Sequence, residues 1–305
     1  MSTLSAVSEM RRGVLCGIGA YVIWGLFPLY WPLLKPAGSV EILGHRIIWS
    51  LVAVGGILAA RRHWRWIKAL RPRRLALLSA AAVFITVNWG VYIYAVNSGH
   101  TLEAALGYFI NPLVSVLLGV VFLRERLRRW QWAAVGTGAA AVAVLAIDYG
   151  RPPWIALILA GCFGTYGLLK KFAATPSTES LAVETAVLFL PALAYVLLQR
   201  HPTFAGHGIG HIVLIVGAGV ITAVPLLLFN SSATRVPLTV IGMLQYLTPI
   251  LQFLIGLLVQ HEAMPASRWT GFLLVWAALI ILSLDAVRAA RKNRRRTSEP
   301  EPVAA

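Results

Sequence analysis

Long apolar runs separated by short, mostly basic breaks fill nearly the whole chain. They fall near 13–34, 41–60, 75–96, 102–123, 130–147, 153–169, 180–199, 209–229, 237–259 and 269–287. Each is long enough, as a helix, to cross roughly 30 Å of hydrocarbon. The pattern predicts an all-α membrane protein of ten transmembrane helices. Arg11 and Arg12 precede the first run, as in a signal peptide. That run is long for a signal, carries Trp24, Pro28, Trp31 and Pro32, and ends without a small-x-small cleavage site, so it reads as a retained helix.

The basic residues orient the helices. With ten spans, 22 Lys and Arg fall on the side of the N-terminus, against four (Lys35, Arg151, Arg200 and Arg268) on the other, and Arg46 lies inside a span. This asymmetry places both termini in the cytoplasm. Trp31, Trp130, Trp132, Trp154 and Trp269 sit near span ends, where interfacial aromatics belong. The segment 288–305 is basic, then rich in Pro and Glu, and is expected to form a disordered cytoplasmic tail.

Composition agrees with the pattern. Residues are 58% hydrophobic and 12% charged, and mean hydropathy is +0.75, more apolar surface than a soluble core can hide. The net charge of +16 suggests nucleic acid at first. The basic residues, however, edge the apolar runs and form no groove-reading helix, so lipid headgroups are the expected partner and nucleic acid is not. Cys16 and Cys162 both lie in apolar runs, which indicates neither a disulfide framework nor a metal site.

An internal repeat runs through the chain. A shift of 137 brings Pro112 onto Pro249, Leu117 onto Leu254, Gly119 onto Gly256, Glu125 onto Glu262 and Trp132 onto Trp269. With small adjustments Ile85-Thr86 meets Ile221-Thr222, and Trp24-Gly25 meets Phe163-Gly164. The two units are 11–147 and 153–287. Five helices per unit is odd, so the second copy enters the membrane inverted, an arrangement used by transporters to alternate between two open states. Pro112 and Pro249 each remove one helical hydrogen bond and crowd the carbonyls of Tyr108 and Gln245. They read either as packing kinks or as breaks lining a cavity, and their polar neighbours favour the cavity.

Several strings resemble the RarD family of permeases. They are Trp24-Gly25-Leu26-Phe27-Pro28-Leu29-Tyr30-Trp31, Glu41-Ile42-Leu43-Gly44-His45-Arg46-Ile47-Ile48-Trp49-Ser50, and Asn88-Trp89-Gly90-Val91-Tyr92-Ile93-Tyr94-Ala95-Val96-Asn97-Ser98-Gly99-His100, running on through Leu102 to Leu113. Val183-Glu184-Thr185 and Leu247-Thr248-Pro249 carry a looser likeness in the second half. The resemblance, to the EamA branch of the drug/metabolite transporter superfamily, covers 11–287. It implies a ten-helix inverted five-plus-five fold and an export-type secondary carrier for a small organic metabolite or drug in the bacterial cytoplasmic membrane.

Polar residues inside spans are the candidate site. Asn88, Tyr92, Tyr108, Asn111, Gln245, Tyr246 and Gln252 are the expected substrate-binding residues, with Gln245 and Gln252 on one face of the ninth span. Asn88 and Asn111 serve equally well as interhelical glue, and the aromatics as packing. His45, Arg46 and Glu184 are candidates for gating or proton coupling. Arg46 has a bland alternative in snorkelling to the interface, and Glu184 in a satisfied structural carboxyl. A shift of 139 sets Glu184 opposite His45 as a mirrored gate. Glu125 and Glu262 read as structural, satisfying backbone donors or nearby cations at tight helix-helix turns, and Glu103 as a first-turn residue favoured by the helix dipole.

No Walker A sequence is present, so no nucleotide or other cofactor is expected, and proton exchange or a facilitated gradient is left as the energy source. An intramembrane enzyme is the rival class. HExxH and GxSxG are both absent, and the only aspartates, Asp148 and Asp285, lie at span ends. A non-transporting scaffold needs an extramembrane domain, and the longest loops, 61–74 and 200–208, are too short for one.

Overall fold

The computed structural model describes residues 3–298 apart from 61, 63, 65, 68, 69 and 125, and every regular element among them is helical. Glu125, expected to be structural, lies outside the described residues, as does part of the basic loop 61–74.

The expected first span, 13–34, is two segments. Helix α1 (Thr3–Gly25) ends at Leu26, and α2 (Phe27–Tyr30) continues as a 3-10 turn (Trp31–Leu34), bent by 41° from α1. The cause is Pro28 and Pro32, which cannot donate to the carbonyls of Trp24 and Pro28. Side chains from the ninth span and from the residue just after it replace the missing donors. Gln252 Nε2 donates to Trp24 O at 3.4 Å and Gln260 Nε2 to Pro28 O at 3.2 Å, as irregular backbone at membrane depth requires.

Then come α3 (Ser39–Ala60), α4 (Pro72–Asn97), α5 (Thr101–Leu123), α6 (Arg129–Tyr149), α7 (Trp154–Ala173), α8 (Ser177–Leu198) and α9 (Gly208–Ala233). The ninth run is α10 (Leu238–Leu244), a break at Gln245-Tyr246, α11 (Leu247–Leu254) and a π turn (Ile255–Val259). Last is α12 (Ala266–Ser298), helical through much of the basic segment expected to be disordered; its Ala, Arg and Lys favour helix. Among the described residues nine helices are long and apolar enough to cross a membrane, or ten if α1 and α2 with its 3-10 turn form one bent span.

The matched prolines behave differently. Pro249 sits in the first turn of α11, where a missing N–H is no loss, and the helix restarts beside the crowded Gln245. Thr248 Oγ1, donating to Tyr21 O at 2.9 Å, ties that restart to α1. Pro112 lies inside α5, which is helical without interruption from Thr101 to Leu123.

The chain forms two compact units. In the larger, Met1–Tyr108 with Ile155–Ala263, α3 packs on α8 and α9, α1 on α9 and α11, and α4 on α8. Gly219 lets α9 approach α3, since a Cβ there would lie 2.3 Å from the Trp49 backbone carbon.

In the smaller unit, Phe109–Trp154 with Met264–Ala305, α6 lies along α12. Phe109, Phe272 and Trp276 meet edge to face. Arg128, capping α6, pairs at 2.5 Å with Asp285, near the end of the apolar part of α12, Ala266–Ala289. Arg268, in the first turn of α12, pairs with Asp148 at the end of α6 at 3.1 Å. Each helix thus starts where the other ends, and the pair is antiparallel.

Candidate functional site

Arg46 is the eighth residue of α3, about 10 Å along the helix by its rise. Its side chain does not snorkel: the residue is 2% exposed, and Nε donates to Thr222 Oγ1 of α9 at 2.9 Å. The Thr222 hydroxyl spends its proton on Ala218 O at 2.8 Å, which leaves its oxygen free to accept. The guanidinium carbon lies 3.9 Å from the Trp89 ring centre, 5.2 Å from Trp31 and 5.6 Å from Phe27. The Tyr92 and Tyr108 phenols are in electrostatic reach of it.

This surrounding leaves Arg46 incompletely satisfied. Among the described residues Nη1 has no hydrogen-bond partner, nor do the nearby Tyr92 hydroxyl and Trp31 Nε1. No carboxylate among them forms an ion pair with Arg46. Cation–π contact returns about 2 kcal/mol when desolvated, against several kcal/mol for burying a charge. The aromatic shell therefore does not balance the guanidinium.

The carboxylates of the same unit are committed elsewhere. Glu41 accepts from Thr203 N at 2.7 Å and Gln199 Nε2 at 3.1 Å, tying the start of α3 to the segment that follows α8. Glu103, in the first turn of α5, accepts from Ile155 N at 3.0 Å and so also serves the start of α7. Glu262 takes the N-terminal N–H groups of α5, Thr101 at 2.5 Å and Leu102 at 3.0 Å, the donor-satisfying role expected of it. Burial pushes the Glu262 carboxyl above the usual range, and the two N–H bonds oppose that shift. Glu184 accepts from Lys170 Nζ at 3.1 Å, Ser180 Oγ at 2.5 Å and the Tyr166 hydroxyl at 3.3 Å, which is the geometry of a satisfied carboxylate.

Some predicted residues gather around Arg46 and others do not. Asn88 donates to Leu159 O at 3.0 Å and accepts from the Tyr108 hydroxyl at 3.1 Å, and so acts as interhelical glue while it positions Tyr108. Tyr108 meets the Tyr92 ring edge-on at 5.6 Å. Gln252 is held against α1 by its bond to Trp24 O, while Gln245 and Tyr246 form the break before α11, so no continuous helical face joins the two glutamines. Asn111 belongs to the smaller unit, where its Oδ1 is buried without a partner among the described residues. The His45 ring stacks on Phe204 at 4.7 Å beside Glu41 and His211, and its Nε2 has no partner among the described residues.

Sequence reasoning missed the roles of Thr222, Phe27, Trp31, Phe204 and Lys170. Counted from the helix starts, Ser39 of α3 and Ser177 of α8, Arg46 and Glu184 are both eighth residues, a spacing of 138 beside the 139 that sets Glu184 opposite His45. The pairs Glu41 with Glu179 and Leu43 with Leu181 follow the spacing of 138.

The EamA-like transporter family is matched twice in succession, over residues 11–147 and 152–284. The chain belongs to this family. Within it the chain is a RarD-type permease of the drug/metabolite transporter superfamily. It is 57% identical over 305 residues to "Protein RarD" of Streptomyces exfoliatus, covering 98% of this chain and 97% of the relative. It is 44% identical to "Uncharacterized transporter YojE" of Bacillus subtilis, covering 94% and 98%. A solved crystal structure, 21% identical, shares the fold with a TM-score of 0.59 over 91% of this chain and 98% of its own. This EamA-type chain is accordingly a multi-pass protein of the bacterial inner membrane. The names of its relatives indicate a transporter rather than an enzyme.

Proposed function

We propose that this chain is a secondary transporter that exports a small organic metabolite or drug by alternating access. Its two five-helix repeats, 11–147 and 153–287, stand inverted to one another, with both termini in the cytoplasm. The observation that carries this reading is the antiparallel α6–α12 pair with its reciprocal ion pairs. These would be the fifth helices of the two repeats, and inverted copies bring them together in opposite directions. The bond of Glu41 to Thr203, which joins the start of α3 to the end of α8, supports the same relation between the second helices. The double family match and the 22-to-4 split of basic residues also agree.

The decisive measurement is metabolite profiling of a deletion strain, inside and outside the cell. A solute that accumulates inside the mutant and leaves when the gene is restored is expected; identical profiles would remove the export reading.

Two clusters suit the two closures of such a carrier. Outside, the segment 199–207 covers His45 through Phe204 and Glu41 through Thr203. At the cytoplasmic side, Lys170, Ser180 and Tyr166 hold Glu184. On a background lacking Cys16 and Cys162, single cysteines at Ser98 and Gly206 should react with an impermeant thiol reagent from outside, and one at Lys171 from inside. A cysteine at Tyr108 should label more from outside when His45→Ala is added, and more from inside with Glu184→Gln. Reversed loop labelling would refute the topology, and equal labelling of both Tyr108 backgrounds would refute the gates.

A further inference from the structure

Two buried charges occupy the same place in the two repeats and are treated differently. Arg46 and Glu184 are each the eighth residue of their helices. A shift of 139, one more than separates Arg46 from Glu184, sets Trp24-Gly25 on Phe163-Gly164 and also Phe27 on Tyr166 and Trp31 on Lys170. In the second repeat Tyr166 donates to Glu184 and Lys170 supplies its counter-charge. In the first, Phe27 and Trp31 flank Arg46 with ring faces and supply no counter-charge. The Glu184 cluster is neutral within itself, while Arg46 has no counter-charge among the described residues.

The groups around that charge share one deficit. Arg46 Nη1, Trp31 Nε1 and the Tyr92 hydroxyl are buried donors with no acceptor among the described residues. What they lack is one negative charge carrying several lone pairs, which is what a carboxylate brings. A phosphate dianion would leave charge over, because no second cation among the described residues is in contact with this cluster. The neighbours of the guanidinium are aromatic, Trp89 against it with Phe27 and Tyr108 beside it, and such side chains suit an apolar, planar body.

We propose that Arg46, with Trp31 and Tyr92, binds the carboxylate of a monoanionic organic substrate whose apolar body packs among the surrounding aromatic side chains. This rests on the transporter reading and names the substrate class of that site. Arg46 is then a binding residue exposed in turn to each side of the membrane.

Matched probes test this on the wild-type protein in detergent, by thermal unfolding with phenylacetate, phenylacetamide or phenethylamine, and with indole-3-acetate, its amide or tryptamine. A carboxylate is expected to raise the unfolding midpoint in a concentration-dependent way, while its amide and amine do not. Arg46→Gln should abolish the response, and Tyr92→Phe, which removes one hydroxyl, should weaken it about tenfold, as loss of one hydrogen bond does. Equal shifts from amides or amines, no shift from either carboxylate, or a response that survives Arg46→Gln would overturn the assignment. If Arg46→Gln does not fold, the wild-type panel and Tyr92→Phe decide alone. Efflux of the same probes from proteoliposomes separates the two readings. Movement of the amine or amide but not the carboxylate refutes the anion site and keeps the transporter; carboxylate binding with no movement of any probe does the reverse.

Discussion

Lys170→Met is expected to destabilise the protein by about 3–5 kcal/mol, the usual cost of stripping one partner from a buried ion pair. Glu184 has only 3% of its side chain exposed and Lys170 19%, so little solvent is at hand to screen the carboxylate once Lys170 is gone. The hydroxyls of Ser180 and Tyr166 still donate to it but bring no charge. Glu184→Gln should cost less, because the Lys170 ammonium is nearer solvent and keeps its bond to Ser180. The double variant Lys170→Met/Glu184→Gln should recover most of the loss. Denaturant unfolding in detergent, arranged as a double-mutant cycle, measures the coupling. A loss below about 1 kcal/mol for Lys170→Met would show that the pair is solvated, in the range of surface ion pairs.

The spans were legible because lipid imposes one demand on all of them, a length of apolar helix that satisfies its own backbone. Runs from 41–60 to 269–287 each coincide with a helix or a broken one. The bend at Leu26 was not legible in the same way. Pro28 and Pro32 mark the trouble, but the donors that make it tolerable, Gln252 and Gln260, come from the far end of the chain. For the same reason sequence shows Gln252 as a polar side chain in a span and not the carbonyl it serves. Glu262 was readable as a carboxyl for backbone donors, but the helix start it serves, at Thr101 and Leu102, lies far away in the chain and not at its own turn. The partner of Glu184 in the first repeat was not legible, since the repeat shift drifts between 136 and 139 along the chain, and a shift of 138 sets it on Arg46 where 139 sets it on His45. For Arg46, position in the span was visible but direction was not. Snorkelling and burial differ only in where the head finds partners, and Thr222 and Trp89 lie on other helices.

Arg46→Met should behave in the opposite sense to Lys170→Met, although the introduced residue is the same. Methionine roughly matches the arginine stem in length, and its sulfur packs well against aromatic rings. The substitution gives up the bond to Thr222, worth about 1.5–3 kcal/mol for a charged donor, and cation–π contact of about 2 kcal/mol. It also removes a buried charge whose effective penalty is several kcal/mol and which no described carboxylate neutralises. The terms nearly cancel, so the unfolding midpoint should stay close to that of the parent or rise. Transport of a carboxylate substrate should nonetheless collapse. Losing one partner of a desolvated charge pair costs 2–5 kcal/mol or more, and about 3 kcal/mol is already roughly a hundredfold in affinity. A stable protein that no longer transports is the signature of a charge kept for a ligand rather than for the fold. If Arg46→Met unfolds as readily as Lys170→Met, the guanidinium is paired inside the folded protein, and its role is to hold α3 against α9.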